Sequence, residues 1–460
     1  MSPDLVQPSE PVLPADEINR RSDLTRYFLN ASRPASEWAV GPEIELFGFE
    51  RDVLSRITPQ KVQEIIGGFS KEIISREIED GYTTEATLDK EIEGRITLEP
   101  GGQIEFSGAN HRSLARVERS LRIYLRRLNE IGAAKGVLFV ATGFDPVRSI
   151  DEQQWIPKRR YEVMRPYLAR RGRRAWDMMC RTAAIQVNLD YGDLEDLARK
   201  FALATRLAPV AAAIFANSPF ERGRLSGYKS TRYAAWLETD PDRTGPSPVA
   251  LEDYFSIERF VLYAASVPMF FIRRDGDYID LTGHTFRDFV ANGERYRPVL
   301  MDFTDHLSTI FTEARLRPHI EQRSMDSGGI ELIMAAQAFW KGLMYDAEIL
   351  DRALDMAPRP GLDEYSRLQM EVARCGLAAR LGRLSVLSLA QSALEMAREG
   401  LRLSAGDETG YLDIIEQMVI KERICPADIL ISNFKGSWNG EIRKAIEYMR
   451  IDGRESEPQV

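Results

Sequence analysis

Histidine and cysteine are scarce in this chain, four and three among 460 residues. His111, His284, His306 and His319 have no metal-ligand spacing, and Cys180, Cys375 and Cys425 are odd in number and unclustered. They support neither a zinc centre nor a disulfide framework, and a few unpaired thiols suit a reducing compartment, read here as the cytoplasm. His306 reads as a satisfied structural histidine. Long apolar runs are also missing. The longest, residues 207–216, is about ten residues with a proline inside it, where about 18 are needed to cross a bilayer. The opening MSPDLVQPSEPVLPADE has no basic start and no apolar core segment, so it does not read as a signal peptide. Positive charge is not in excess: 61 Lys+Arg face 70 Asp+Glu, a formal net charge of −9, which disfavours nucleic acid as a partner. A membrane partner is equally unsupported. No Gly-rich phosphate loop and no G-x-S-x-G elbow occurs.

What is present is a globular composition, 44% hydrophobic and 28% charged, with enough chain to bury a large core. Residues 1–24 are expected as a disordered lead-in, 25–450 as a single domain and 451–460 as a flexible tail. Strands are expected at 39–49, 96–107 (strand, turn, strand), 136–143, 181–191 and 314–323. Helices are expected at 59–72, 113–131 and 194–215, a hairpin around Asp275-Gly276, and helices through most of the chain from 330 onward. Residues 83–93 read as an acidic loop and 158–174 as a basic one. Strands first and a helical C-terminal third give an α+β order.

The sharpest signal lies in what alternates along the strands, where successive side chains point to opposite faces. Glu43 and Glu45 share one face while Ile44 and Leu46 take the other. Gln103 and Glu105 repeat that arrangement, with Glu99 just upstream of the turn Pro100-Gly101-Gly102. Gln186, Asn188 and Asp190 share a face, and from Glu313 to Arg323 every odd position is ionisable: Glu313, Arg315, Arg317, His319, Glu321 and Arg323. An ordinary amphipathic strand with a solvated face explains any one of these. Four together, rich in Glu, Gln, Asn and Arg, point to a sheet face that gathers Mg²⁺ and phosphate. Carboxylates are the hard ligands Mg²⁺ prefers, and Arg forks bind phosphoryl oxygens. Lys158-Arg159-Arg160-Tyr161 opens a segment suited to capturing an anionic substrate, set against a plain solvated loop. Ser226-Gly227-Tyr228-Lys229-Ser230-Thr231-Arg232 has small polar residues beside an arginine that can hold a carboxylate.

Residues 96–108, Ile-Thr-Leu-Glu-Pro-Gly-Gly-Gln-Ile-Glu-Phe-Ser-Gly, resemble the signature of the plant and proteobacterial glutamate–cysteine ligases. The resemblance continues through Gly41-Pro42-Glu43-Ile44-Glu45-Leu46-Phe47-Gly48-Phe49, Lys158-Arg159-Arg160-Tyr161, Val187-Asn188-Leu189-Asp190 and Thr304-Asp305-His306-Leu307. It implies a glutamine-synthetase-like fold, a curved and mostly antiparallel β-sheet funnel surrounded by helices. It also implies an ATP-dependent ligase that activates the γ-carboxylate of glutamate as γ-glutamyl phosphate and joins it to the amine of cysteine, the opening step of glutathione formation. By matched position, Glu43, Glu45, Glu99, Glu105 and Glu321 would be ligands of Mg²⁺ or Mn²⁺. Arg323 would reach the transferred phosphoryl group, with Arg315 and Arg317 also on the nucleotide. Arg232 and Arg160 would hold substrate carboxylates, Gln186 and Asn188 would line the floor, and Arg181 and Tyr161 are further substrate-binding candidates. The partners implied are small molecules, acting on a monomer or homodimer. Two departures stand out: Ile44 and Leu46 replace the family's His and Lys, and residues 75–95 form a long acidic stretch unlike the family's loop. The family's regulatory cysteines have no clear counterparts, so thiol control is not carried over. A ligase of the same chemistry acting on a different amine is the alternative, and a catalytically dead binding relative a third.

Overall fold

Alternating apolar and polar positions assemble one nine-stranded sheet in the computed structural model, which describes residues 18, 21–292, 295–403, 406 and 408–451. The strands are β1 (Val40–Glu50), β2 (Ile73–Glu79), β3 (Tyr82–Leu88), β4 (Gly94–Leu98), β5 (Ile104–Gly108), β6 (Val137–Val140), β7 (Ala184–Leu189), β8 (Ala314–Leu316) and β9 (Ile320–Asp326). Their order is β8-β9-β7-β1-β5-β4-β3-β2, with β6 pairing to the far half of β1. Every pairing in this sheet is antiparallel. The expected lead-in and tail fall almost wholly outside the described residues, although a helix, Arg21–Asn30, starts within the stretch read as lead-in.

The apolar face of the sheet is the core. Ile44, Leu46, Ile104, Phe106, Ile185 and Val187 are buried there. They belong to an apolar cluster shared with the helices Leu114–Ala134, Leu194–Ile214 and Ile330–Met344. Asp193 starts the second of these by accepting the backbone N–H of Asp196 at 2.8 Å, an N-cap of the usual kind. Beyond it the chain is mostly helical, as expected: Ala347–Met356, Leu362–Cys375, Val386–Leu403, Pro426–Lys435 and Ile442–Tyr448. The helix Leu362–Cys375 stops where it does because Gly376 turns the chain with φ +56.

Four local expectations are corrected. The stretch read as an acidic loop, 83–93, is the strand β3 as far as Leu88 and a turn only from 89 to 93; ahead of it β2 forms the sheet edge, exposed along most of its length, so it shows no burial alternation. The basic stretch is not a loop either, since it contains the helix Arg159–Leu168 and ends on Arg174, the residue that precedes the helix Ala175–Arg181. Arg181 is therefore the last residue of a helix and not the first of a strand. The strand read across 314–323 is a hairpin, β8 and β9, closed by Arg317 N–H donating to His319 O at 2.9 Å. Glu313 sits on a bend between the short strand Phe311–Thr312 and β8, which takes it off the polar face, and Tyr233 and Tyr365 both donate to its carboxylate.

Candidate active site

The polar face of the sheet carries its charges in rows. Cross-strand pairing puts Glu77, Glu85, Thr97, Glu105 and Glu45 opposite one another across β2, β3, β4, β5 and β1. At about 4.8 Å per strand this row spans about 19 Å. On the other side of β1, Glu43 faces Gln186, while Asn188, Glu321 and Arg315 form a second row across β7, β9 and β8. The turn from β4 to β5 is closed by Gly102 N–H to Glu99 O at 2.9 Å. Only glycine fits at Gly101, where a Cβ would lie 2.3 Å from Cys180 O; Gly102 has φ +77.

Hydrogen bonds string these residues together. Gln186 Nε2 donates to Glu45 Oε1 at 2.9 Å, and Gln186 Oε1 accepts from Arg323 at 3.0 Å. Arg323 also pairs with Glu321, whose two oxygens take the fork of Arg315 at 2.8 Å. Asn188 Nδ2 donates to Glu43 at 2.9 Å, and Thr97 Oγ1 donates to Glu105 at 2.6 Å. The electrostatics divide accordingly. Burial, with repulsion from Glu321 and Glu105, pushes the Glu43 carboxyl up to about 7. Burial and the nearby Glu99 and Glu105 push Glu45 well above the usual carboxylate range, and burial with Glu99 raises Glu105. Glu321 is deeply buried too, but Arg315 and Arg323 overcome that penalty and hold it far below the ordinary range.

This face floors a cavity of ≈ 390 Å³. Eleven of the fourteen residues given a site role by the resemblance line it: Glu43, Glu45, Glu99, Glu105, Arg160, Tyr161, Gln186, Arg232, Arg315, Arg317 and Arg323. Asn188 stands behind Glu43, and Glu321 lies fully buried between its two arginines. Arg181 is elsewhere: fully buried, paired with Asp177 at 2.6 Å and Glu221 at 3.1 Å, and 4.4 Å over the Phe144 ring. Arg232, on the helix Thr231–Leu237, donates to Ser324 O at 3.2 Å and Arg323 O at 2.7 Å. Its Nε is buried without a partner. Asp326 braces that helix by accepting from Ser218 at 2.6 Å and Ser230 at 2.8 Å.

Lys158, first of the basic motif, faces the cavity with its ammonium pushed down by burial and by Arg160, against the pull of Glu99. Sequence reasoning missed several other lining residues. Trp236, Glu85, Arg95, Thr97, Arg273 and Tyr278 also line it. Arg95, Thr97 and Glu99 alternate just as Gln103 and Glu105 do, so period two in β4 was the available signal.

The donor set fits a hard divalent cation. It is all oxygen, and burial plus mutual repulsion leave Glu43, Glu45 and Glu105 short of positive charge. Among the described residues no three His, Cys, Asp or Glu converge into a metal cage. Mg²⁺ does not need one, since one or two carboxylates commonly hold it together with substrate phosphates and water. Glu321 fits least well, because both its oxygens are already taken by arginines.

A match to the family described as Glutamate-cysteine ligase family 2 spans residues 39–448. The chain belongs to that family. It is 36% identical over 442 residues to the chloroplastic glutamate–cysteine ligase A of Oryza sativa subsp. indica, covering 95% of this chain and 89% of the relative. It is 35% identical to the chloroplastic glutamate–cysteine ligase of Medicago truncatula, covering 95% and 86%. The chloroplastic glutamate–cysteine ligase of Arabidopsis thaliana is 34% identical, covering 96% and 84%. Among solved structures, a glutamate–cysteine ligase from Francisella tularensis in complex with AMP superposes with TM-score 0.55 at 11% identity, over 90% of this chain and 87% of that one. A bifunctional glutathione synthetase from Pasteurella multocida gives 0.53, also at 11%, over 90% and 51%. These two show the fold, which is the glutamine-synthetase-like one expected. The chain of this ligase family is thus an enzyme that forms a carbon–nitrogen bond, with ATP as substrate. One expectation is corrected: the relatives are chloroplastic, which overturns the cytoplasmic reading. Cysteine scarcity separates reducing from oxidising surroundings and not one reducing compartment from another. No described helix is long and apolar enough to cross a membrane.

Proposed function

We propose that this ligase transfers the γ-phosphoryl group of ATP to the γ-carboxylate of L-glutamate and then joins the activated glutamate to the amino group of L-cysteine. The observation that carries this is the pairing of a carboxylate-rich floor with Arg160, Arg232, Arg315, Arg317 and Arg323 around one cavity. A γ-carboxylate oxygen attacks the γ-phosphorus and ADP leaves. The acceptor nitrogen then attacks the carbonyl carbon, the carbon–oxygen bond breaks, phosphate departs with that oxygen, and the nitrogen gives up a proton. Arg323, fixed by Glu321 and Gln186, is preset to meet the charge spread over the transferred phosphoryl oxygens. Arg160 and Arg232 hold the carboxylates of glutamate, and Tyr161, whose hydroxyl donates to Leu98 O at 3.4 Å, shapes the pocket beside them. Arg315 and Arg317 take the nucleotide side. Mg²⁺, or Mn²⁺ in its place, held by Glu43, Glu45, Glu99 and Glu105, supplies charge neutralisation and orientation for the phosphates.

A second reading keeps the chemistry and changes the amine. Strands β2 and β3, where the sequence departs from the family pattern, bring Glu77, Glu79 and Glu85 to the cavity wall. A negative wall there favours an acceptor with an additional positive charge. The test is phosphate release from ATP, Mg²⁺ and glutamate across a panel of amines. Cysteine giving the highest release supports the first reading; a cationic amine exceeding it supports the second; no release with any amine overturns both.

A further inference from the structure

Arg159 is the member of the basic motif that stays out of the cavity. Its neighbours Lys158 and Arg160 line the cavity, whereas its own side chain is 43% exposed. It stands between two hairpin tips. One joins β2 to β3 at Asp80-Gly81, with φ +49 and +83; the other joins Phe271–Arg274 to Asp277–Asp280 at Asp275-Gly276, with φ +51 and +85. Two successive left-handed residues ending in glycine are the tight hairpin turn of paired antiparallel strands, so both tips are stiff. Both hairpins also wall the cavity, the first through Glu77, Glu79 and Glu85 and the second through Phe271, Arg273 and Tyr278.

Arg159 touches both. Its guanidinium pairs with Asp80 at 3.3 Å and with Asp277 at 3.5 Å, and donates to Gly276 O at 3.4 Å. Its backbone N–H donates to Glu79 Oε2 at 3.0 Å. Asp80 and Asp277 are themselves 51% and 81% exposed. Exposed pairs of this kind are weak and are screened by salt, so the join is one that opens and closes readily.

We propose that Arg159 is a positioning residue that clasps the two hairpins at the rim of the cavity and thereby sets how closely Lys158 and Arg160 are held against the anionic substrate. Half of the clasp comes from β2 and β3, the stretch where this sequence departs from its family's pattern. The proposal rests on the reading of the cavity as a glutamate site for the kinetic part of its test, and on no function at all for the other part.

The experiment compares the full chain with Arg159→Ala and Arg159→Lys. Arg159→Ala raises KM for glutamate about two- to fivefold at low salt, the range typical of exposed ion pairs, with kcat and Tm unchanged. Arg159→Lys recovers most of that loss, and at about 0.5 M salt the wild-type KM rises toward that of the alanine variant. Hydrogen exchange at residues 79–82 and 275–278 is faster in Arg159→Ala at both tips. An unchanged KM, a fall in kcat by the same factor, or unchanged exchange at either tip overturns the proposal. Exchange needs no turnover, so a wild type that made no γ-glutamyl product would sink the functional reading while leaving the clasp to be judged on exchange alone.

Discussion

Replacing Glu43 by Gln separates what the acidic floor does for catalysis from what it costs the fold. The folded protein keeps the Glu43 proton up to about pH 7, where an unperturbed carboxyl loses it near 4.5. Between those values the folded state binds more protons than the unfolded chain, so stability falls as pH rises through that window, and the whole penalty is present above pH 7. At 1.36 kcal/mol per pH unit the gap corresponds to about 3 kcal/mol, trimmed to about 2 by the residual solvent contact of Glu43. Glutamine has nearly the same shape, and its Oε1 still accepts from Asn188 Nδ2. Unfolding entropy of about 2.1 cal/mol/K per residue makes each kcal/mol about 1 °C in a chain of this length. In chelator, Glu43→Gln should therefore raise Tm by about 2 °C at pH 8 and by less than about 1 °C at pH 5. Added Mg²⁺ should raise the wild-type Tm more than the variant's, because only the wild type offers the full carboxylate set. Turnover should fall sharply in the same variant. Scanning calorimetry at the two pH values is the assay. A Tm that drops at pH 8, or one that rises equally at both, refutes the reasoning that Glu43 is a strained carboxylate awaiting positive charge.

Two further outcomes follow from groups outside the floor. His306, stacked on Phe286 and bonded at 2.8 Å to Ala264 O, is pushed down to about 4 by burial. The unfolded chain takes up that proton first, so stability is lost as pH falls from 6.5 through 4, by about 3 kcal/mol in all. Urea midpoints from pH 7 to 4.5 should track this fall and flatten in His306→Gln; a wild-type midpoint independent of pH would refute it. Arg181→Met should cost about 3 kcal/mol by breaking its pairs with Asp177 and Glu221, although Arg174 also contacts both. The surviving folded enzyme should keep its KM for glutamate. A raised KM at unchanged stability would return Arg181 to the binding site.

The strands of the site were readable because period two survives wherever one face is buried. Glu43-Ile44-Glu45-Leu46 and Gln103-Ile104-Glu105-Phe106 each put carboxylates and hydrophobics on opposite sides, and the structure pairs them residue for residue, Glu45 against Glu105. At the sheet edge the same rule loses its signal. In β2 neither face is covered, Ile74 and Ile78 are exposed, and the charges between them leave no strand signal. The run of odd ionisable positions from Glu313 to Arg323 was right in composition and wrong in continuity. A turn at 317–319 folds it back, so Arg315 and Glu321 become cross-strand partners, and a separate bend at Glu313 takes that residue off the face. Trp236 and Lys158 could not be placed from strand periodicity at all, since Trp236 reaches the cavity from the short helix Thr231–Leu237 and Lys158 from the residue before Arg159–Leu168, and only tertiary packing decides where those helices sit.

If the γ-carboxylate is phosphorylated before the amide forms, one of its oxygens must leave with the phosphate. The enzyme is given glutamate labelled with ¹⁸O in its γ-carboxylate, together with ATP, Mg²⁺ and cysteine, and the released phosphate is analysed by mass spectrometry. One ¹⁸O should appear in each phosphate released, matched by one lost from the γ-glutamyl product. Phosphate that carries no label while the peptide accumulates would contradict the acyl-phosphate route.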